Sequence, residues 1–158
     1  LDGSGRLVEL QQKEVARDTD KPVRVLDGDI TIDAIPVSHA IVPALGYRVT
    51  AGDVSIVFAS DQNGSSDAFI DFARDASVLV MHLPIPEGAT GAAIKLHARP
   101  SDVARVAKTA GAETLVLSHF MARSLSDLDT NVDIVRKGFG GKVVVASDLA
   151  CMAVSDQP

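Results

Sequence analysis

The feature that most constrains the fold is a change of rhythm after Phe58. Before it, short β-branched runs are cut by turn residues; after it, such runs alternate with helical periodicity. Val23–Leu26, Ile30–Pro36, Gly46–Thr50 and Val54–Phe58 are separated by signals such as Asp27-Gly28-Asp29 and Ala51-Gly52-Asp53. Apolar runs joined by such signals predict successive antiparallel strands. Ser66 then suits the cap of a helix whose Ala68, Phe69, Phe72 and Ala73 share one face. Ala76–His82 reads as a buried strand, and Leu83–Arg99 as a loop rich in Pro and Gly. Pro100 suits a first helical turn, and Gly111 suits the stop of that helix. Its spacing turns Val103, Val106 and Ala107 inward and Asp102, Arg105 and Lys108 outward. Thr114–Leu117 is a strand. A helix opened by Ser124 or Ser126 runs through Leu128, Val132 and Val135 to Lys137-Gly138, and Lys142–Ala146 is the last strand. The expected class is α/β, α+β layered: a mixed sheet with helices packed on one face. Residues 1–21 are polar and read as an N-terminal arm or linker, with a short helix at Val8–Arg17 as the other option.

Composition excludes several roles. A chain of 158 residues is one domain or half of a larger one. Fifteen Lys and Arg against 21 Asp and Glu give a net charge of −6, and no basic block stands out. That argues against a phosphate-backbone binder. No apolar run approaches the ~20 residues of a membrane span. With no Trp and one Tyr, stacking on bases or sugars has little material. The single cysteine, Cys151, sits among apolar neighbours and cannot form an intrachain disulfide, so the compartment stays open. No targeting segment is visible, which leaves cytoplasm and periplasm as alternatives.

The chemistry concentrates at strand ends. Val54–Phe58 runs into Ala59-Ser60-Asp61, Thr114–Leu117 into Ser118-His119, and Lys142–Ala146 into Ser147-Asp148. Ligands of α/β sheets sit beyond the carboxyl ends of strands, where loops converge. Carboxylate oxygen and imidazole nitrogen together suit zinc, iron or manganese. All four histidines lie between positions 39 and 119, each in or near a loop or strand end. An Asp there also serves as a turn former and a His as a hydrogen-bonded loop residue, so pattern alone leaves both open. No nucleophile elbow, Walker loop or dinucleotide glycine motif is present.

Taken in order, the segments resemble a known family. Pro36-Val37-Ser38-His39, Gly46-Tyr47-Arg48 and Ile56-Val57-Phe58-Ala59-Ser60-Asp61 come first. Ala76–His82, His97, Leu115-Val116-Leu117-Ser118-His119-Phe120 and Val143–Asp148 follow. Together they resemble the C-terminal half of a metallo-β-lactamase-fold hydrolase of the ribonuclease Z and arylsulfatase-like branch, over roughly residues 22–150. The resemblance implies half of an αβ/βα sandwich, with 22–158 as that half-domain. It implies a dinuclear centre, zinc in the first instance and iron or manganese as alternatives. Metal-bound hydroxide would attack an ester, phosphodiester, sulfate or lactone. Asp61 looks like the carboxylate that bridges two metals, His119 like the last imidazole ligand, and His97 like the loop histidine near the leaving oxygen. His39 and His82 match recurrent positions that surround the ligands, and Asp148 falls at the end of the family's last strand; these three are read as pocket or supporting residues.

The departures are informative. Ser60 stands where Gly usually precedes the bridging Asp, Leu83-Pro84 follows His82 in place of Glu, and Arg99-Pro100 follows the loop His in place of a small hydroxyl neighbour. These favour a hydrolase branch other than the ribonucleases. The family's HxHxDH motif is not in the chain, whose first histidine is His39. The expectation is therefore a C-terminal half, inactive alone, whose partner is an N-terminal half of the same protein. Its substrate is a small molecule or phosphodiester, no membrane is involved, and a homo-oligomer is an option. The rival reading is a non-catalytic structural or interaction module.

Overall fold

Each turn signal folds one strand back on the next. A computed structural model describes residues 12–154. Strands β1 (Val23–Leu26), β2 (Ile30–Pro36), β3 (Leu45–Ala51) and β4 (Val54–Phe58) pair antiparallel in succession. Ala51 sits opposite Val54, so Gly52-Asp53 closes a two-residue turn with Gly52 at φ +57°. A side chain disfavours that left-handed region, which is why the turn carries glycine. Beyond β4 the direction stops alternating. β5 (Val78–His82), β6 (Thr114–Ser118) and β7 (Lys142–Val145) run parallel to β4 and to one another. The seven strands lie side by side in sequence order.

The parallel strands need crossovers, which the helices supply. These are α1 (Asp67–Phe72), α2 (Ala93–Leu96), α3 (Pro100–Ala110), α4 (Ala122–Leu125) and α5 (Leu128–Phe139). α1 packs on α3 and α3 on α5, so they form one layer. Val57, Leu79 and Leu115 stand in one register row and share a single buried cluster with Phe69, Val103, Val106 and Val135. The neighbouring row, Tyr47, Phe58, Val80, Val116 and Val144, lies on the other face. There Tyr47 and Phe58 remain 37% and 42% exposed.

The Gly-Tyr-Arg segment of β3 has a structural purpose. A Cβ on Gly46 would stand 2.9 Å from Cε2 of Phe69, so only glycine lets the α1 ring lie against the strand. Two residues on, the Arg48 guanidinium donates to the carbonyls of Phe72 and Arg74 and to Ser55 Oγ. It thereby serves carbonyls left unpaired at the end of α1. Ser66 caps the other end, its Oγ accepting from the Phe69 amide at 3.1 Å.

The expected helix from Ser124 or Ser126 is corrected to two: α4, and α5 with Asp127 at its N-cap. Gly138 is not the stop. It lies inside α5, where a Cβ would meet Ala104 Cβ at 2.8 Å, and Gly140 at φ +78° ends the helix. A helix–helix close approach and a helix end both select glycine, and the sequence alone does not separate them. The expected loop Leu83–Arg99 holds the short α2. Of the optional helix Val8–Arg17, residues 8–11 lie outside the described residues and 12–17 are not helical. Cys151 is exposed. No helix among the described residues is long and apolar enough to cross a membrane.

Candidate metal centre

Parallel strands deliver their carboxyl ends to one edge, and three adjacent strands each bring a chemical group there. Asp61 follows β4, His82 ends β5 and His119 follows β6. His97 arrives from the end of α2 and His39 from the β2–β3 connection. Asp61 Oδ1 lies 3.5 Å from His119 Nε2 and 3.8 Å from His97 Nδ1. The His97 ring is central: its centroid is 5.2 Å from that of His39, 5.7 Å from His82 and 6.5 Å from His119. Ligand-capable atoms of Asp61, His82 and His97 all fall within 4.8 Å of one another. Asp61, His82, Ser118 and His119 line an open recess of about 320 Å³. Larger depressions of about 780 and 450 Å³ lie around Asp20 and Ser66 and carry no imidazole.

Backbone strain helps aim two of these groups. Ser60 takes φ +55° and His119 φ +51°. For a non-glycine residue that conformation costs roughly 1–2 kcal/mol. This explains why glycine suits the place that Ser60 fills.

The histidines divide by their hydrogen bonds. His39 Nδ1 donates to the Leu96 carbonyl at 2.7 Å, which fixes the tautomer and leaves Nε2 as the basic nitrogen. His82 is a brace: Nδ1 donates to the Ser60 carbonyl at 2.7 Å, and Nε2 accepts from the Ala98 amide at 3.3 Å. With both nitrogens engaged it ties the Asp61 turn to the His97 turn. His97 is buried, and its Nδ1 has no hydrogen-bond partner. A buried polar atom without a partner is costly, and one 3.8 Å from a carboxylate fits a place where a proton or a bound group completes the contact. Asp148 follows β7, one strand beyond β6, is exposed, and makes no ion pair or hydrogen bond among the described residues.

Burial sets the protonation of the buried rings. Desolvation pushes the His82 pKa down to about 4, against the opposing pull of the Asp61 carboxylate. His97 is lowered too, by desolvation first, with Asp61 opposing and His39, Arg123 and His119 adding to the depression. Both imidazoles are thus held neutral, the form that ligates metal or accepts a proton. The unfolded chain binds a proton on His82 near pH 6.5 and the folded chain only near 4. Stability of the metal-free protein is therefore expected to be full above about pH 6.5 and to fall as pH drops towards 4. The span of roughly 2.5 pH units corresponds to about 3 kcal/mol. Urea titrations from pH 7.5 to 4 should show that loss, and a His82→Leu variant should lack most of its slope; equal slopes would place the titration elsewhere.

The Asp61 carboxylate oxygen and His119 Nε2, 3.5 Å apart, are a donor pair whose chemistry fits a divalent ion. The fold and this site define a metallo-β-lactamase-type layer. Residues 4–120 match the beta-lactamase superfamily domain, and the chain belongs to that family. The probable metallo-hydrolase YhfI of Bacillus subtilis is 26% identical over 136 residues, 80% of this chain and 54% of that protein. The ribonuclease Z of Haloarcula marismortui is 34% identical over 84 residues, 52% of this chain and 27% of the enzyme. The crystal structure of the metallo-β-lactamase-fold protein YhfI superposes with a TM-score of 0.67 at 27% identity, covering 85% of this chain and 53% of that one. Human tRNase Z, short form, shares the fold with a TM-score of 0.68 at 20% identity, covering 86% and 48%. The chain thus spans about half the length of YhfI and less of the ribonuclease.

Proposed function

We propose that the chain supplies the C-terminal half of the site of a metal-dependent hydrolase acting on an ester, phosphodiester, sulfate or lactone. The carrying observation is one carboxylate oxygen 3.5 and 3.8 Å from two imidazole nitrogens beyond the ends of parallel strands. Asp61 and His119 would hold the metal, zinc in the first instance, with Asp61 as the carboxylate of a dinuclear centre. A divalent metal bound there supplies Lewis acidity and lowers the pKa of a coordinated water to about 7. His97 handles a proton: its Nδ1 is unpartnered, and burial favours the neutral ring. His82 holds the Asp61 and His97 turns together. The apolar row from Tyr47 to Val144 supports a second layer, an N-terminal half carrying further ligands, as the partner of this sheet.

A zinc site needs three or four protein ligands, so the 158-residue chain alone is expected to bind zinc weakly and turn over nothing. In the full-length protein, His97→Ala should lower kcat by about 100-fold or more, the range of a lost acid or base. Zinc content should stay near that of the parent. Loss of zinc equal to that of His119→Ala would make His97 a ligand instead. Full-length protein purified without metal, and taking none up, would favour the non-catalytic module.

A further inference from the structure

Resting on that reading of the site, we propose that Gln62 is the positioning residue of the Asp61 carboxylate, which it aims by holding Ser60 in its left-handed conformation. Ser60, at φ +55°, sets the direction in which the chain leaves β4 and presents Asp61. A serine in that conformation is strained, and such strain persists only where the surroundings over-determine the backbone. Here the two peptide groups that flank Ser60 are each held by a side chain. On one side Gln62 Nε2 donates to the Ala59 carbonyl at 2.8 Å, and the Ala59 amide is itself tied to the Val80 carbonyl at 2.9 Å. On the other side His82 Nδ1 donates to the Ser60 carbonyl at 2.7 Å. With both peptide planes fixed, the torsion angles of Ser60 between them are fixed too.

Gln62 is anchored in turn. It is fully buried, and its carbonyl accepts from the Ala98 amide, beside His97, at 2.8 Å. The next amide, that of Asn63, donates to the Ser38 carbonyl, beside His39, at 2.8 Å. The side-chain amide turns its nitrogen to Ala59, and its Oε1 is buried with no hydrogen-bond partner. An orphaned oxygen is unfavourable, so burial alone does not ask for glutamine here. Methionine, of similar length, would fill the space without that cost. What methionine lacks is the N–H that holds the Ala59 carbonyl. Glycine in place of Ser60 would need no such hold, because without a Cβ it adopts positive φ freely. Serine and glutamine are thus two parts of one device: the first introduces strain and the second contains it. The result is a carboxylate held in place 3.5 Å from His119 Nε2, an ordering that a bound ion need not supply.

The test compares the full-length protein with its Gln62→Met and Ser60→Gly variants and the double variant. Neither of its two readouts requires turnover. In the metal-free proteins, backbone NMR chemical shifts and the HN–Hα coupling report the φ of Ser60, and Gln62→Met should move it out of the left-handed region. Calorimetric titration then gives the zinc affinity. Gln62→Met should weaken it about tenfold, the scale on which residues that orient a ligand act. Ser60→Gly alone should change it less than about threefold, since glycine keeps the turn without strain. In the double variant the affinity should return to within about threefold of the parent, a coupling that lost packing at Gln62 would not show. Ser60 keeping its left-handed φ in Gln62→Met overturns the proposal. So does a parent-like zinc affinity in Gln62→Met, or a loss that Ser60→Gly fails to recover. A Gln62→Met protein that does not fold, with or without Ser60→Gly, makes Gln62 a core residue and overturns the proposal too; folding rescued by Ser60→Gly upholds it. If the parent itself takes up no zinc, the metal reading falls, and the φ of Ser60 in Gln62→Met decides the proposal alone.

Discussion

Asp61→Ala is expected to weaken zinc binding by the full-length protein more than ~100-fold and to abolish the hydrolase activity proposed for it. Loss of residues that merely support a ligand costs 10–100-fold in metal affinity, so loss of the ligand proposed here as shared should exceed that range. Asp61 is the one carboxylate in the cluster with His82 and His97, and it also lies 3.5 Å from His119. Without it the site keeps imidazole nitrogens alone and no carboxylate charge to balance a divalent ion. Its side chain is 34% exposed and its polar contacts are to imidazoles, so the fold should lose little. Calorimetric zinc titration, with urea denaturation of the metal-free protein beside it, separates the two effects. Parent-like zinc affinity in the variant would remove Asp61 from the centre.

The second large effect is on stability. Val106→Asp should destabilise the protein by roughly 3–5 kcal/mol, enough to unfold most of a marginal domain. Val106 is fully buried on the inward face of α3, beside Val103 and Ala107 in the common cluster. The glycine of the Asp61 loop, Gly64, packs against it: a Cβ there would stand 3.5 Å from Val106 Cγ2. A carboxylate at this place finds no cation on the inward face and must be buried charged or protonated, at a cost either way. Because α3 also touches α1 and α5, the loss should be cooperative across the helical layer. Chemical denaturation reads it directly; a shift below about 1 kcal/mol would mean that the α3 face is not packed as described.

The helix α3 was legible in sequence because periodicity, Pro100 and Gly111 agree. Val103, Val106 and Ala107 are buried as that periodicity requires, and Gly111 caps at φ +69°. The split into α4 and α5 was not legible, because Ser124 and Ser126 look like caps yet Ser124 is buried and bonded within α4. Gly138 misled for a similar reason, since the Ala104 side chain that forbids a Cβ there belongs to another helix.

The site divides in the same way. Asp61 and His119 stood out as polar residues where apolar strands end, a signal written along the chain. Their closeness was not written there. It follows from β4, β5 and β6 running parallel side by side, with His82 between them. That His82 is a brace with both nitrogens bonded and that His97 carries an unpartnered Nδ1 are likewise products of tertiary structure. Sequence alone determined the strands, the main helices and which residues have the chemistry of ligands, because periodicity and turn preference act between near neighbours. Only the tertiary structure decided which of those residues meet and which nitrogen is free. Those outcomes depend on strand order, register and desolvation among residues far apart in the chain.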